Sequence, residues 1–549
     1  MNARIIAADV HRASPFPPSI VWPYEGVPAR PEKPRRGFVR VSTAGGGLRY
    51  GERAGRWVLF ATVLGSAVAF IDGTVVNIAL PRIGRDFGTG AAGLQWTVNA
   101  YTLTLASFVL LGGSLGDQFG RRKIFLTGMI WFAGASLLCG LAPNIELLIA
   151  ARALQGVGGG LLTPGALAIL QSSFAQQDRM RAIGAWSGLA GAAGAIGPFL
   201  GGWLVEFATW RLVFLINVPV ALVVVVVSLR HVPESFDVRT SGHIDAAGAL
   251  LGATGLAGLT YGFTAWPGRA GSDPVVLSTL LIGISGLVGF VVHESRSAHP
   301  MLPLGLFRSR TFSATNIVTF AVYAALGGVF FLVVVNLQVV VGFTPLTAGI
   351  SMLPVTVLML FLSPRAGWLA TRIGPRLPMT FGPFSCAVAL LLLSRVGPGT
   401  TYVSGVLPAA IILGLGLSLT VTPLTATALA SVEDRHAGVA SGVNNAVARI
   451  AGLLAVAILP LASGLGSSLT DPIGLAPAYR SSMLICAGLL VLGGVLAFVA
   501  IPSTFAAITP PNESAGASDQ TQRSGSVPAI TNDCGVTGPP LQPTWEDPA

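Results

Sequence analysis

The chain reads as an all-α integral membrane protein, and three observations carry that reading. Of its 549 residues, 52% are hydrophobic and 10% charged, where a soluble domain averages about 25% charged. Apolar runs long enough to span a bilayer, about 18 residues or more, recur along most of its length. Its basic residues fall between those runs and in the N-terminal segment rather than along one amphipathic face, so the net charge of +10 does not point to nucleic acid.

Fourteen apolar segments, read outward from turn signals, are expected to cross the membrane. The first, near 57–80, carries an acid, Asp72, in its interior. Segments 93–114 and 124–142 flank a Gly- and Arg-rich loop, and 145–170 carries Arg152. Segment 182–206 is studded with glycine, and 211–230 closes a first six-helix half at 57–230. Segments 244–264 and 275–293 form a pair within 231–311. Segments 312–336, 346–364, 376–396, 402–424, 438–463 and 481–501 make a second half, 312–502. Residues 1–56 are rich in Arg and Pro without a signal-peptide core, and read as a disordered cytoplasmic tail or in part as a misassigned start. Residues 503–549, full of Ser, Pro, Gly and Thr, read as a disordered cytoplasmic tail.

Charge orients this array. With the N-terminus in the cytoplasm, the inner loops hold fourteen Arg and Lys residues and the outer loops six, before the N-terminal tail is added. An even number of spans places both termini inside a cell membrane.

The two halves also echo each other. Gly113-Ser-Leu115-Gly-Asp117-Gln-Phe-Gly120-Arg121-Arg122 resembles Gly367-Trp-Leu369-Ala-Thr371-Arg-Ile-Gly374-Pro-Arg376 at an offset of 254 (367 − 113). Arg181-Ala-Ile-Gly184-Ala-Trp-Ser-Gly188 matches Arg435-His-Ala-Gly438-Val-Ala-Ser-Gly442 at the same offset. Two coincidences at one offset imply repeated halves around a midplane site. The repeat is lopsided in chemistry: Asp72 maps to Leu326, Arg152 to Val406 and Asp117 to Thr371.

Several functions are excluded by what the chain offers. The two lysines, Lys33 and Lys123, do not follow glycine, so no phosphate loop of Gly-Lys-Ser/Thr type exists. Cys139, Cys386 and Cys486 lie in apolar runs and Cys534 in the tail, which suggests no disulfide framework. None of the six histidines sits mid-span, so neither a metal site nor a histidine relay is expected, and no cofactor. A pump of this kind draws on an ion gradient or a partner. The expected partners are a small-molecule substrate, protons and the bilayer, with accessory export proteins left open.

The candidate chemistry centres on Asp72 and Arg152. A charge at the centre of a span costs roughly 2.5–3.5 kcal/mol on insertion scales and usually faces a cavity or a partner. Asp72 lies about eight residues, ~12 Å, from the outer end of its span, and Arg152 about seven residues, ~10 Å, from the outer end of its own. The two can meet at one depth. Burial disfavours a charged carboxylate and a nearby arginine favours it, so the acid can trade its proton for a conformational change; the alternative is a static ion pair locking two helices.

In the loop after the second span, Gly113 and Gly120 permit a tight turn. Asp117 can accept from amides at a helix start, and Arg121 and Arg122 can bind helix C-terminal carbonyls or lipid phosphates. That combination suggests a conformational latch, against purely topogenic charge. In the fifth span, Gly194, Gly197, Gly201 and Gly202 at three- and four-residue spacings let another helix approach, and Pro198 removes a backbone hydrogen bond. Arg449, about eleven residues into the thirteenth span, has three open readings: an anionic substrate, an unseen acid, or backbone carbonyls.

These motifs together resemble the major facilitator superfamily, and within it the fourteen-helix drug:proton antiporters. The loop Gly113–Lys123, Arg152-x-x-Gln155-Gly156, Gly194-x-x-Gly197-Pro198-x-x-Gly201-Gly202 and Asp72-x-Thr74-x-x-Asn77-x-Ala79-Leu80-Pro81 carry the resemblance. Gln95-Trp96 with Tyr101, Trp210-Arg211 with Asn217-Val-Pro219, and Asp245-x-x-Gly248 are similar too. The resemblance covers about 57–501 and implies proton-driven efflux of amphipathic, often cationic compounds. It makes Asp72 the protonation site, Arg152 its coupling partner, Asp117 with Arg121 and Arg122 the gating loop, and Gly197-Pro198 the antiporter hinge. The substrate cavity is expected to use Asn77, Trp96, Tyr101, Gln155, Asn445 and Arg449. A dedicated exporter or importer of one metabolite is the second reading. A membrane sensor or enzyme is a distant third, for want of any nucleophile–base or metal constellation.

Overall fold

In hydrocarbon a backbone must satisfy its own hydrogen bonds, and a helix does so within one segment. The computed structural model describes residues 47–236, 245–266, 273–297, 300–432, 437–465, 469 and 471–504. Most of both expected tails, with Cys534, lies outside them. The described residues form sixteen α-helices: α1 Arg53–Phe87, α2 Ala91–Phe119, α3 Arg121–Gly140, α4 Ile145–Ser173, α5 Gln176–Phe207, α6 Leu212–Leu215, α7 Asn217–His231 and α8 Ala246–Ala265. There follow α9 Pro274–Arg296, α10 Arg310–Val339, α11 Pro345–Ile350, α12 Leu353–Ile373, α13 Arg376–Leu393, α14 Leu407–Ala430, α15 Ala437–Ala462 and α16 Pro472–Ala500. The β-type pairing among the described residues is an isolated bridge between Leu48 and Phe174. It orders residues assigned to the N-terminal tail: Tyr50 N donates to Asp178 at 3.0 Å, and α1 starts at Arg53.

Twelve helical segments among the described residues are long and apolar enough to cross a membrane, with α6–α7 and α11–α12 each counted as one; a bent α2 would make thirteen. The expected count of fourteen is not reached among the described residues, where the apolar part of α5 is Ile196–Phe207, shorter than a span.

Helix ends follow local chemistry. The Asp471 carboxylate accepts from Ile473 N and Gly474 N at 3.1 and 3.2 Å, and Pro472 occupies the first turn, so α16 starts nine residues before the expected span (481 − 472). Asp245 caps α8 through Gly248 N at 2.7 Å, and His293 of α9 reaches the same carboxylate at 2.8 Å. Gly120 and Gly374, 254 residues apart (374 − 120), both adopt positive φ, 108° and 83°, in the turns α2–α3 and α12–α13. The repeat read in the sequence thus recurs in backbone geometry.

Packing depends on missing side chains. Gly194, Gly197 and Gly201 of α5 face α1, and the Thr74 hydroxyl donates to Gly194 O at 3.3 Å. A Cβ on Gly202 would sit 2.7 Å from the α11 backbone at Leu346. Among the described residues, two hydrogen bonds tie α1–α7 to α10–α16. Gln338 Nε2 donates to Ile78 O at 3.0 Å and Leu346 N to Glu206 at 2.9 Å. Both lie where the C-terminal ends of α1 and α5 meet the end of α10 and α11.

In the α8–α9 pair, a Cβ on Gly258 would lie 2.6 Å from Thr279 O and 2.7 Å from Gly283 N, whereas one on Gly252 would meet the Phe290 ring at 3.5 Å. Gly258→Ala is therefore expected to destabilise by about 1–3 kcal/mol through overpacking, and Gly252→Ala to be near neutral. Thermal unfolding followed by helical circular dichroism checks this, with the two variants compared side by side.

Candidate functional site

Asp72 and Arg152 meet, as their depths suggested. Arg152 Nη1 donates to Asp72 Oδ2 at 2.6 Å, with the two side chains 1% and 0% exposed. Asp72 Oδ1 accepts from Gln155 Nε2 at 2.8 Å and from Asn217 Nδ2 at 3.1 Å. Every partner is a donor, an arrangement that suits a carboxylate; a carboxylic acid would need an acceptor.

Five helices build this knot. α4 supplies Arg152 and, one turn on, Gln155, whose Oε1 accepts from Arg152 at 2.6 Å. α2 supplies Thr97 O, which accepts from Arg152 Nε at 3.0 Å, and the Tyr101 ring, 4.2 Å from the guanidinium. α3 supplies Ser136, whose hydroxyl accepts from Gln155 and Asn217 at 3.1 and 3.0 Å and donates to Phe214 O at 2.9 Å. Asn217 opens α7, and α1 brings Asp72. Ser136 and Asn217 were not assigned to the site from sequence. A polar residue in an apolar run was the available signal, and helix rotation decides whether it turns inward.

Beside the knot lies a cavity of about 240 Å³. α1 lines it with Phe70, Gly73 and Asn77, α2 with Tyr101, α4 with Arg152 and α15 with Arg449. Asp72 is not in the wall; it is sealed behind Arg152. Of the residues expected at a substrate cavity, Asn77, Tyr101 and Arg449 line this one, and Gln155, Trp96 and Asn445 do not. Gln155 binds Asp72, and Trp96 turns to Tyr261 of α8 at 6.0 Å between ring centres. Asn445 is exposed and donates to Ser441 O of its own helix at 3.1 Å, whereas its neighbour Asn444 turns inward to Thr319 at 2.7 Å. Among the described residues Arg449 makes neither an ion pair nor a hydrogen bond.

The loop cluster closes differently from the sequence reading. Asp117 pairs with Arg121 at 2.8 Å instead of capping a helix. The cap of α3 is Glu234, which follows α7: it accepts from Arg122 N at 3.0 Å and Lys123 N at 3.2 Å. The Arg122 guanidinium donates to Val232 O at 3.0 Å, so it does hold carbonyl groups at a helix end. Gly120 leaves room for the Glu234 carboxyl, which a Cβ there would meet at 2.8 Å. Gly113 lies within α2 toward Pro164 of α4. Pro198 sits inside α5, its carbonyl against Gly349 of α11.

A bundle of apolar helices enclosing a buried ion pair and a cavity is compatible with a membrane transporter. The Major Facilitator Superfamily model matches residues 62–456, and the chain belongs to that superfamily. It is 34% identical to the puromycin resistance protein of Streptomyces alboniger over 461 residues, covering 81% of this chain and 91% of that one. It is 34% identical to the tetracenomycin C resistance and export protein of Streptomyces glaucescens, covering 77% and 79%. Among solved structures it resembles a bacterial homologue of the lysosomal transporter Spinster in an inward-facing, unoccupied conformation. The TM-score is 0.59 at 18% identity, covering 82% of this chain and 97% of that one.

Breaking a buried pair leaves an uncompensated charge and costs about 3–5 kcal/mol. Arg152→Ala is expected to lose stability on that scale, and Asp72→Asn in the same chain to restore part of it. A double-mutant cycle of unfolding free energies measures the coupling; additive losses contradict the pairing.

Proposed function

We propose that the chain is a proton-coupled antiporter that exports amphipathic drugs or hydrophobic metabolites by alternating access. It would lie in the cell membrane with both termini cytoplasmic. In this reading α2 and α5 complete fourteen crossings: two six-helix halves, 57–230 and 312–502, and an inserted pair within 231–311. α5 supports this by length, since 32 residues at about 1.5 Å each exceed a hydrocarbon core of about 30 Å.

The observation that carries the proposal is the Asp72–Arg152 pair, buried among donors and bordering the cavity through the arginine. A proton arriving on an Asp72 oxygen removes the negative charge. Arg152 then stands buried without a counter-charge and is driven toward the cavity, and the Gln155 and Asn217 amides must re-aim. A substrate entering from the cytoplasm would trade places with that proton across the cycle. Asp117, Gly120, Arg121 and Arg122 act as the gating loop with Glu234 as its anchor. Gly194, Gly197, Pro198, Gly201 and Gly202 let α5 slide on α1 and α11 as the halves rock. The relatives named for single antibiotics favour, as a second reading, a dedicated exporter of one compound.

Substrate-induced proton release from energised inverted vesicles tests the assignment, with puromycin and tetracenomycin C as first probes. Asp72→Asn is expected to lower the release at least tenfold, with substrate binding kept. Wild-type coupling in that variant would contradict it.

A further inference from the structure

The charge balance of the cavity points to a ligand class that family resemblance does not suggest. Among the described residues its charged wall residues are Arg152 and Arg449, and no acid lines it. Arg152 is neutralised from behind by Asp72 at 2.6 Å. Arg449 is not neutralised: among the described residues it makes no ion pair or hydrogen bond, and its electrostatic neighbours are the phenols Tyr101 and Tyr323. Phenols carry no charge near neutral pH. The resting cavity therefore presents one uncompensated positive charge, contributed from α15 and facing a wall made by α1, α2 and α4.

The rest of the wall is apolar or neutral. Phe70 is 41% exposed, and Val98 and Leu105 line the same space. Asn77 Oδ1 and the Tyr101 hydroxyl lack hydrogen-bond partners. A permanent cation entering this space would meet Arg449 at close range in a low-dielectric setting, where like charges repel strongly. An acidic amphipath would supply the missing counter-charge and lay its apolar body on the α1 and α2 face. Guanidinium suits a carboxylate, sulfonate or enolate, because its planar fork donates two parallel hydrogen bonds.

We propose that Arg449 is the substrate-anchoring residue of the cavity and that the preferred ligand is an amphipathic organic anion. This rests on the transporter reading and adds the ligand's charge. The volume of about 240 Å³, just below the range of small-molecule pockets at about 300–1,000 Å³, fits a compact ring system rather than a long chain. Arg449 would also link the two bundles: an anion held from α15 lies against α1, two turns or less from Asp72. Ligand occupancy and the state of the ion pair are then felt on one helix.

Two dyes on one xanthene scaffold isolate charge from shape: anionic fluorescein and cationic rhodamine 123. Their binding to the full chain in detergent, read by fluorescence anisotropy, involves no proton gradient. It therefore succeeds or fails independently of antiport, which the Asp72→Asn vesicle assay reports. Fluorescein is expected to bind the wild type more tightly than rhodamine 123. Arg449→Gln should weaken fluorescein at least tenfold and leave rhodamine 123 unchanged or tighter. Arg449→Lys, which keeps the charge but loses the fork, should bind fluorescein more weakly than wild type but more tightly than Arg449→Gln, and so shows that the fold is intact. No saturable fluorescein binding, tighter rhodamine 123 binding in the wild type, or unchanged fluorescein affinity in Arg449→Gln each overturns the proposal.

Discussion

The ion pair between Asp72 and Arg152 constrains everything around it. Two charges held out of water cost several kcal/mol each, and their attraction offsets that only when the remaining donors and acceptors are also matched. Here the matching draws on α1, α2, α3, α4 and the α6–α7 break, so those helices must keep a particular rotation and depth relative to one another. A bundle bound together by such a knot has few ways to relax when one partner changes charge. The same tightness that makes the pair expensive would, under the proposed proton coupling, make it a usable switch, because one proton on Asp72 would upset five helices at once.

Glycine supplies the complementary property. Without a hydrophobic force between helices in lipid, association depends on close packing, and α5 offers α1 a nearly bare backbone at Gly194, Gly197 and Gly201. Gly202 and Pro198 present the same helix to α11. α5 therefore touches both the helix carrying the acid and a helix of the other bundle. The two hydrogen bonds between the bundles, from Gln338 and Leu346, sit in this region, whereas α2 and α15 beside the cavity meet through apolar packing of Leu103 on Leu453.

Much of this was legible before any coordinates. Apolar run length located the helices, and counting residues from the ends of two runs brought Asp72 and Arg152 to one depth. What depth leaves open is rotation about a helix axis. Trp96 and Asn445 lie in the right helices, yet they turn to α8 and to the protein surface. Asn217 and Ser136 turn into the knot; their polarity within apolar runs marks them, but not the side of the helix on which they lie. Glu234 was invisible because its partner, the start of α3, is more than a hundred residues earlier.

The central claim is that Asp72 changes protonation state while buried. Infrared difference spectroscopy on acidification of the full chain in lipid reads it directly, through the carbonyl stretch of a protonated carboxylic acid. The expected result is a carboxylic-acid band in the wild type that is lost in Asp72→Asn and shifts when Arg152→Lys alters its partner. A wild-type spectrum that Asp72→Asn leaves unchanged would contradict the account.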